Sequence, residues 1–239
     1  MTSKVRLYFS DKLAPGTVSK LSEKQSHYVK NVVRLNRGDK ISIFNSNNGE
    51  WDAVILAHGK ELTEFKVEKQ SRPQEDEHNL WLAFSPIKKI PQDLMLQKTT
   101  ELGIKKFLPI LCERSVVREI NIERASKIVT EASEQSNRIS VPEILKTQSL
   151  IAFLKNFPEN GHIIFCDINS DSRNLKKILS DKKPICILVG PEGDFSEEER
   201  QLIINNKNVT SITLAKNILR AETAAIASTT ILNYNLENN

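Results

Sequence analysis

The chain has 239 residues, a net charge of +4 and an ordinary composition, with 39% apolar and 27% charged residues, so it is long enough to bury a sizeable core. Apolar runs fall well short of membrane-spanning length, and the first residues lack the apolar stretch of a signal peptide. We therefore expect a cytoplasmic protein that contacts no membrane. Cys112, Cys166 and Cys186 lie far apart in apolar surroundings, and neither they nor the histidines show metal-ligand spacing. These patterns predict buried thiols and no metal site.

Positive charge is concentrated in the first third of the chain. Up to Arg72 there are 13 Lys and Arg residues against 8 Asp and Glu, whereas the remainder has 21 against 22. A local excess of cations suits contact with a phosphate backbone, although a small domain also carries such charge for solubility. Composition leaves both interpretations open.

Short strands separated by turns are typical of the first part of the chain. One helix is predicted from about Ser22 to Val33, and the polar run 45–49 indicates a hairpin. The strand patterns cover residues 5–9, 40–44, 51–56 and 64–68. This arrangement predicts a small β-barrel over residues 1–72, followed by a polar linker over 73–79.

Strands alternate with helices from residue 80 onward. Strands are predicted over residues 81–84, 107–111, 162–166, 185–189 and 211–215. Helices are predicted from Pro91 to a cap at Gly103, around 122–132, over 150–156, near 175–179, from Ser196, and at the Ala-rich C-terminus. Such alternation predicts an α/β domain with a mostly parallel sheet over residues 80–239.

Two polar loops follow the last two predicted strands. The first runs from Gly190 to Asp194, and its glycines permit a ligand to approach the backbone closely. The second runs from Asn217 to Arg220 and leads into the final helix. Because ligands bind at the carboxyl ends of strands in open α/β sheets, we expect the two loops to share one pocket. The alternatives are a plain turn in the first loop and an ion pair between Arg220 and Glu222 in the second.

One helical face carries a further polar set. Glu131, Gln135 and Arg138 are spaced i, i+4, i+7, which places them on one side of a helix. The chain has no dinucleotide-binding or phosphate-binding glycine motif, no nucleophile elbow and no paired histidines on a helix. Dinucleotide enzymes, P-loop NTPases, serine hydrolases and metalloproteases of these kinds therefore lose support.

The two loops, over residues 188–196 and 218–224, resemble those of the ribosomal small-subunit RNA uridine-N3-methyltransferase family, in the SPOUT (trefoil-knot) class. Residues 27–39, 97–103 and 131–138 resemble further motifs of that family in the same order. The resemblance implies a PUA-like β-barrel that contacts RNA, a knotted α/β domain that binds S-adenosylmethionine, and a homodimer. It also implies methylation of N3 of a uridine in the decoding region of 16S rRNA, as free RNA or within the small ribosomal subunit.

The resemblance also implies roles for particular residues. Arg220 is expected to stabilise charge that develops on a uridine oxygen, with Arg138 a second candidate and Glu222, Glu131 or water as the base. Phosphate contacts are expected from Arg6, Arg34 and Arg37. S-adenosylmethionine is expected to contact Val189, Gly190, Pro191, Glu192, Gly193, Leu214, Asn217, Ile218, Leu219 and Thr223.

Two positions depart from the family pattern. Asp194 replaces the last glycine of the usual Gly-Pro-Glu-Gly-Gly, and Asn217 replaces an arginine in the second loop. The departures leave open a non-catalytic RNA-binding or ribosome-assembly protein of the same fold. A ribose 2′-O-methyltransferase of the same class is a third interpretation.

Overall fold

The computed structural model describes residues 5–170 and 184–238, and the chain divides into two compact units. The first unit contains residues up to Asp76 together with Ser133–Val141, and the second contains Glu77–Ala132 and Pro142–Asn239. Residues 133–141, which the sequence analysis placed in the second domain, thus group with the first unit. The helix predicted over 175–179 lies outside the described residues.

The first unit is a five-stranded sheet with a short helix. The sheet order is β1-β3-β4-β5-β2, with β1 and β3 parallel and the other neighbours antiparallel. Helix α1 (Glu23–His27) begins at a capping box on Ser22 and continues as a π-helical turn, Tyr28–Val32. The strands are β1 (Arg6–Tyr8), β2 (Val18–Lys20), β3 (Lys40–Asn45), β4 (Gly49–His58) and β5 (Thr63–Arg72). The four predicted strands are confirmed, and the three-residue β2 was missed.

A glycine closes the hairpin between β3 and β4 at the predicted place. Asn45 pairs with Gly49, whose φ is +76°, in the left-handed region that favours glycine. A Cβ atom there would lie 2.3 Å from the carbonyl oxygen of Arg72. Both the backbone conformation and the neighbouring chain therefore require a residue without a side chain.

The second unit is an α/β structure with a parallel sheet. The strand order is β12-β10-β11-β6-β7-β8, with the short β9 also on β7, and every described pairing is parallel. The strands are β6 (Leu80–Phe84), β7 (Lys106–Leu111), β8 (Glu143–Ile144), β9 (Gln148–Ser149), β10 (His162–Cys166), β11 (Ile185–Val189) and β12 (Val209–Ile212). The helices are α2 (Lys89–Glu101), α3 (Ile122–Gln135), α4 (Leu150–Asn156), α5 (Glu197–Ile204) and α6 (Ala221–Glu237). The predicted α/β class with a mostly parallel sheet is confirmed.

Strand β12 differs from its prediction of 211–215 because its pairing partner ends first. Its last residue, Ile212, pairs with Cys166, the last residue of β10. Beyond that point the chain turns, and the Thr213 hydroxyl donates to the carbonyl of Ala215. Thr213, Leu214 and Ala215 therefore belong to the loop.

Helix α3 ends before the last residue of the predicted polar face. It stops at Gln135, and Asn137 adopts a left-handed φ of +64°, which asparagine tolerates better than most residues. Arg138 therefore lies beyond the helix. The prediction that Arg138 shares one helical face with Glu131 and Gln135 is wrong.

None of the helices in the described ranges is long and apolar enough to cross a membrane.

Candidate functional site

The loops that follow β11 and β12 leave the sheet at the same edge. Strand β10 lies between these two strands and runs parallel to both, so all three carboxyl ends point the same way. Neighbouring strands are about 4.8 Å apart, which places the roots of the two loops about 10 Å apart. We call residues 190–194 the first loop and residues 213–219 the second loop. This edge is where open α/β sheets bind ligands.

The first loop is a tight turn that ends on a left-handed aspartate. The N–H of Asp194 donates to the carbonyl of Pro191 at 3.0 Å, and Asp194 itself has a φ of +61°. Its Oδ1 accepts the N–H of Phe195 at 2.8 Å. Aspartate is one of the few side chains that adopt this conformation at modest cost, so the turn forms here without a glycine.

The two glycines of the first loop have different surroundings. A Cβ atom on Gly190 would lie 2.6 Å from the ring of Phe195, so packing within the protein excludes a side chain there. On Gly193 the nearest contact would be the Cβ of Arg114 at 3.4 Å, and its φ is not in the left-handed region. No neighbour in the described chain explains why position 193 has no side chain.

Several side chains that the sequence did not single out fasten the first loop. Arg114 donates from Nη1 to the carbonyl of Gly193 at 3.1 Å. Glu199 accepts the N–H groups of Glu113 at 2.8 Å and of Ser196 at 3.1 Å, which completes the predicted capping box of α5. Only the capping signal was visible in the sequence, because the partners at 113 and 114 lie about eighty residues away.

The neighbouring loops after β6 and β7 are joined by a buried serine pair. The hydroxyls of Ser85 and Ser115 lie 2.7 Å apart, and Ser115 Oγ also accepts the N–H of Cys112. The N–H of Ser85 donates to the carbonyl of Val189 at 3.2 Å, at the start of the first loop. Four loops at this edge are thus connected through hydrogen bonds or through adjacent strands.

The second loop and the start of α6 present exposed groups. Ile218 is 84% exposed, and Arg220 is exposed as the residue that precedes α6. Within the described chain, neither the Arg220 guanidinium nor the Glu222 carboxylate, one turn into the helix, has an ion-pair partner. The alternative in which Arg220 pairs with Glu222 is therefore not supported. Thr223 is exposed in the first turn of α6.

Arg138 belongs to the first unit, whereas Arg220 belongs to the second. Arg138 is buried, its Nη2 donates to Ser140 Oγ at 2.9 Å, and its carbonyl accepts a hydrogen bond from Arg6. These contacts give Arg138 a structural role within the first unit.

The guanidinium of Arg6, a predicted phosphate contact, is fully hydrogen-bonded within the first unit. All five of its N–H groups donate: two to the carboxylate of Glu50, and three to the carbonyls of Ser133, Glu134 and Arg138. Its guanidinium also lies over the ring of Phe44, and the side chain is only 13% exposed. The structure therefore favours a structural role for Arg6 over contact with RNA.

Arg34 and Arg37, the other predicted phosphate contacts, are exposed on the turn that follows the π-helical segment. Arg34 has a left-handed φ of +60°, and the N–H of Leu35 closes the turn on the carbonyl of Val29 at 2.8 Å. Glycine is the usual residue at such a helix end, because a side chain costs about 1 kcal/mol there. Arginine at this position incurs that cost, and its charged side chain is exposed to solvent.

The three cysteines are free thiols that burial keeps protonated at neutral pH. Cys112 and Cys186 are buried and Cys166 is partly buried, and none forms a disulfide. Burial raises the pKa of Cys112, with a smaller effect from Glu199, and the pKa of Cys166, each to about 12. Among the residues described, no group of three or more His, Cys, Asp or Glu is arranged to hold a metal ion.

Comparison with known proteins gives matches along nearly the whole chain. A family model described as an RNA methyltransferase domain matches residues 74–233, and one described as an RNA methyltransferase PUA domain matches residues 21–68. Ribosomal RNA small subunit methyltransferase E of Rickettsia conorii is 36% identical over 93% of this chain and 92% of that protein. The protein of the same name from a Synechocystis species is 31% identical over 91% of this chain and 73% of that protein.

Solved structures resemble both the fold and the sequence. Ribosomal RNA small subunit methyltransferase E of Neisseria gonorrhoeae, bound to S-adenosyl methionine, has a TM-score of 0.88 and 28% identity, covering 96% of this chain and 97% of that one. A methyltransferase of Legionella pneumophila in complex with the same cofactor has a TM-score of 0.85 and 26% identity, with the same coverage of both chains.

Proposed function

The chain belongs to the RNA methyltransferase domain family, and we propose that it transfers a methyl group from S-adenosylmethionine to N3 of a uridine in the decoding region of 16S rRNA. The observation that carries the proposal is the common edge of the two loops, which flank β10 in a parallel sheet. The names of the similar proteins support the ribosomal substrate and the cofactor. A cytoplasmic location follows from that substrate.

The residues present fit S-adenosylmethionine. In the first loop the N–H groups of Glu192 and Gly193 have no partner in the described chain, and no protein neighbour explains the missing side chain at 193. In the second loop the exposed side chain of Ile218 would gain apolar cover from an adenosine ring. The backbone of 189–193 and 214–219 would therefore hold the adenosine and methionine parts. When bound, S-adenosylmethionine supplies a methyl group activated by a sulfonium.

The chain's own contribution to the reaction is positioning and charge stabilisation. Loss of the N3 proton of uridine spreads negative charge onto its two oxygens, and a guanidinium placed beside them lowers the energy of that state. Arg220 is the candidate for this role, because it is exposed at the edge of the site without an acidic partner among the described residues. Glu222 or water would accept the proton.

We assign RNA binding to the first unit. Arg34 and Arg37 are exposed, and the excess of cations before residue 73 suits a phosphate backbone. Affinity for the RNA is then expected to fall steeply with rising salt. A complex insensitive to salt would contradict this assignment.

We also assign a homodimer. Helices α2 and α6 pack against each other, and each exposes large apolar side chains: Ile90 and Leu94 on α2, and Ile231 and Tyr234 on α6. Such side chains on adjacent helices suit burial against a second copy. Light scattering after gel filtration should give twice the mass of one chain. Replacement of Tyr234 by Lys should shift the measured mass toward that of the monomer. A monomeric wild type would contradict the assignment.

The activity itself is tested in two steps. Calorimetry of the purified protein with S-adenosylmethionine should show binding, and no heat of binding would favour a non-catalytic RNA-binding protein. Mass spectrometry of nucleosides from 16S rRNA, incubated as free RNA or as small subunits, should then show 3-methyluridine. A ribose 2′-O-methylated nucleoside would instead show that the protein is a ribose 2′-O-methyltransferase of the same class.

A further inference from the structure

A partly buried ion pair lies at the carboxyl end of β10, the strand between the two loops. Asp167 directly follows β10, and its side chain is only 3% exposed. Its Oδ2 accepts two hydrogen bonds from Arg200, from Nε at 3.1 Å and from Nη2 at 2.8 Å. The pair therefore joins the sheet to helix α5, which starts immediately after the first loop.

Both partners are held by their backbones at the roots of the two loops. The N–H of Asp167 donates to the carbonyl of Ile212, the last residue of β12, at 2.9 Å, and its Oδ1 accepts the N–H of Asn169. The N–H of Arg200 donates to the carbonyl of Ser196 at 2.8 Å, at the start of α5. The ion pair thus links the end of the first loop to the beginning of the second.

An apolar contact joins the same two elements. The ring of Phe195 packs edge-on against that of Phe165 in β10, with ring centroids 5.3 Å apart. A ring contact is not directional, so by itself it permits the start of α5 to rotate relative to β10. The directional hydrogen bonds of the arginine restrict that motion, since a guanidinium binds a carboxylate only in a narrow range of orientations.

We propose that Asp167 and Arg200 are positioning residues that hold the first loop in register with the second, and so set the geometry of the methyl donor, a role that presupposes the donor site proposed above. Stability alone does not require this pair, because apolar residues of similar volume often serve a core as well as a buried ion pair does. Its location between the two loops is what gives it a function.

Replacement of Arg200 by Met tests the proposal. We expect the Kd for S-adenosylmethionine to rise about tenfold and the methylation rate at saturating cofactor to fall, because small displacements of a bound reactant lower the rate steeply. Arg200→Lys keeps the charge but has fewer directional donors, so it should restore part of both losses. The matched control is Lys106→Met, which breaks the ion pair between Lys106 and Glu143. These two residues lie on β7 and β8, at the far end of the strand order from β10 and β12. This control should bind S-adenosylmethionine and methylate RNA as the wild type does.

Hydrogen exchange separates positioning from a loss of stability. In the protein without cofactor, Arg200→Met should accelerate amide exchange in residues 190–196 and leave β11 protected. Wild-type affinity and rate in Arg200→Met would overturn the proposal, as would faster exchange spread evenly over the whole unit. If Arg200→Met fails to fold, Arg200→Lys serves for the same comparisons. A wild type that does not bind S-adenosylmethionine would overturn the proposed function, while exchange in residues 190–196 still decides whether the pair holds the loop.

Discussion

At the scale of single residues, three of the described residues other than glycine have a left-handed backbone, and they differ in what this costs. Asn137 and Asp194 are of the types that tolerate it, whereas Arg34 is not. Asn137 ends a helix and Asp194 closes the first loop. An aspartate is therefore tolerated at 194, because this side chain permits the left-handed conformation.

Replacement of Asp194 separates the backbone requirement from the side chain. Asp194→Gly should change the free energy of unfolding by less than about 1 kcal/mol, since glycine adopts a positive φ without strain but loses the hydrogen bond to Phe195 N–H. Asp194→Ala loses the same bond and also keeps a Cβ, so it should be destabilised by about 1–2 kcal/mol. Urea unfolding of the two variants measures the difference. Equal stabilities would show that the left-handed conformation is not what constrains this position.

The proposed role of Arg220 concerns the transition state rather than cofactor binding. Arg220→Ala should lower the methylation rate about 100-fold, as expected for removal of one group that stabilises a developing oxyanion. The Kd for S-adenosylmethionine from calorimetry should stay close to that of the wild type. Lys207→Ala, at an exposed cation before β12, is the control for a general loss of positive charge. Equal losses of binding and rate in Arg220→Ala would contradict the role.

At the scale of elements, each loop is shaped by neighbours distant in sequence. Gly190 lacks a side chain because Phe195 covers it, whereas Gly193 faces no such neighbour. Arg34, on the turn that follows the π-helical segment, combines a left-handed backbone with an exposed side chain. At the glycines of the first loop and at Arg34, the residue type has both a structural and a functional explanation. Matched variants distinguish the two explanations.

The two glycines of the first loop provide one such matched pair. Gly190→Ala should destabilise the protein by about 1–3 kcal/mol, because its Cβ would overlap the Phe195 ring. Gly193→Ala should be nearly neutral for stability but should weaken S-adenosylmethionine binding, if a ligand rather than the protein requires the bare backbone. Thermal unfolding and calorimetry measure the two effects. Unchanged affinity in Gly193→Ala would argue against cofactor contact at 193.

Arg34 offers the opposite combination of effects. Arg34→Gly should stabilise the protein by about 1 kcal/mol, because glycine relieves the left-handed strain. RNA affinity should nevertheless fall, and the slope of its logarithm against that of salt concentration should decrease by about one. Arg34→Ala is the control, since it removes the charge but keeps the strain. RNA affinity unchanged in both variants would exclude a phosphate contact at Arg34.

At the scale of the whole molecule, the buried thiols link stability to pH. Their pKa values are raised by burial from 9.0, to about 12 for Cys112 and Cys166 and further for Cys186. The folded protein therefore keeps these protons where the unfolded chain loses them. The stability they contribute is intact below about pH 9 and is lost as the pH rises toward the folded values.

This pH dependence is measurable with one variant. Between about pH 9.5 and 11, above the pKa of an unfolded thiol, each thiol should lower the free energy of unfolding by about 1.4 kcal/mol per pH unit. Cys112→Ala should reduce the slope by that amount, as determined by urea unfolding under reducing conditions. The wild-type slope serves as the control for lysine and tyrosine ionisation. An unchanged slope would show that Cys112 ionises as easily in the folded protein as in the unfolded chain.

Local patterns in the sequence predicted most elements and the family. The capping box at Ser196 and Glu199, the cap at Gly103 and the helix 150–156 depend on neighbours a few residues apart, and all three are confirmed. The resemblance to an RNA methyltransferase family is also confirmed. The end of β12 and the position of Arg138 were predicted wrongly, because a pairing partner and a left-handed asparagine ended those elements early.

The sequence by itself determined the element types, the two polar loops and the family, since periodicity, capping and motifs are properties of adjacent residues. Only the tertiary structure decided that β10 separates the two loops, that Arg6 is occupied by Glu50 and three carbonyls, and that Asp167 meets Arg200. Each of these depends on contacts between residues more than twenty positions apart. A local pattern does not encode such contacts, because they form only when the chain packs.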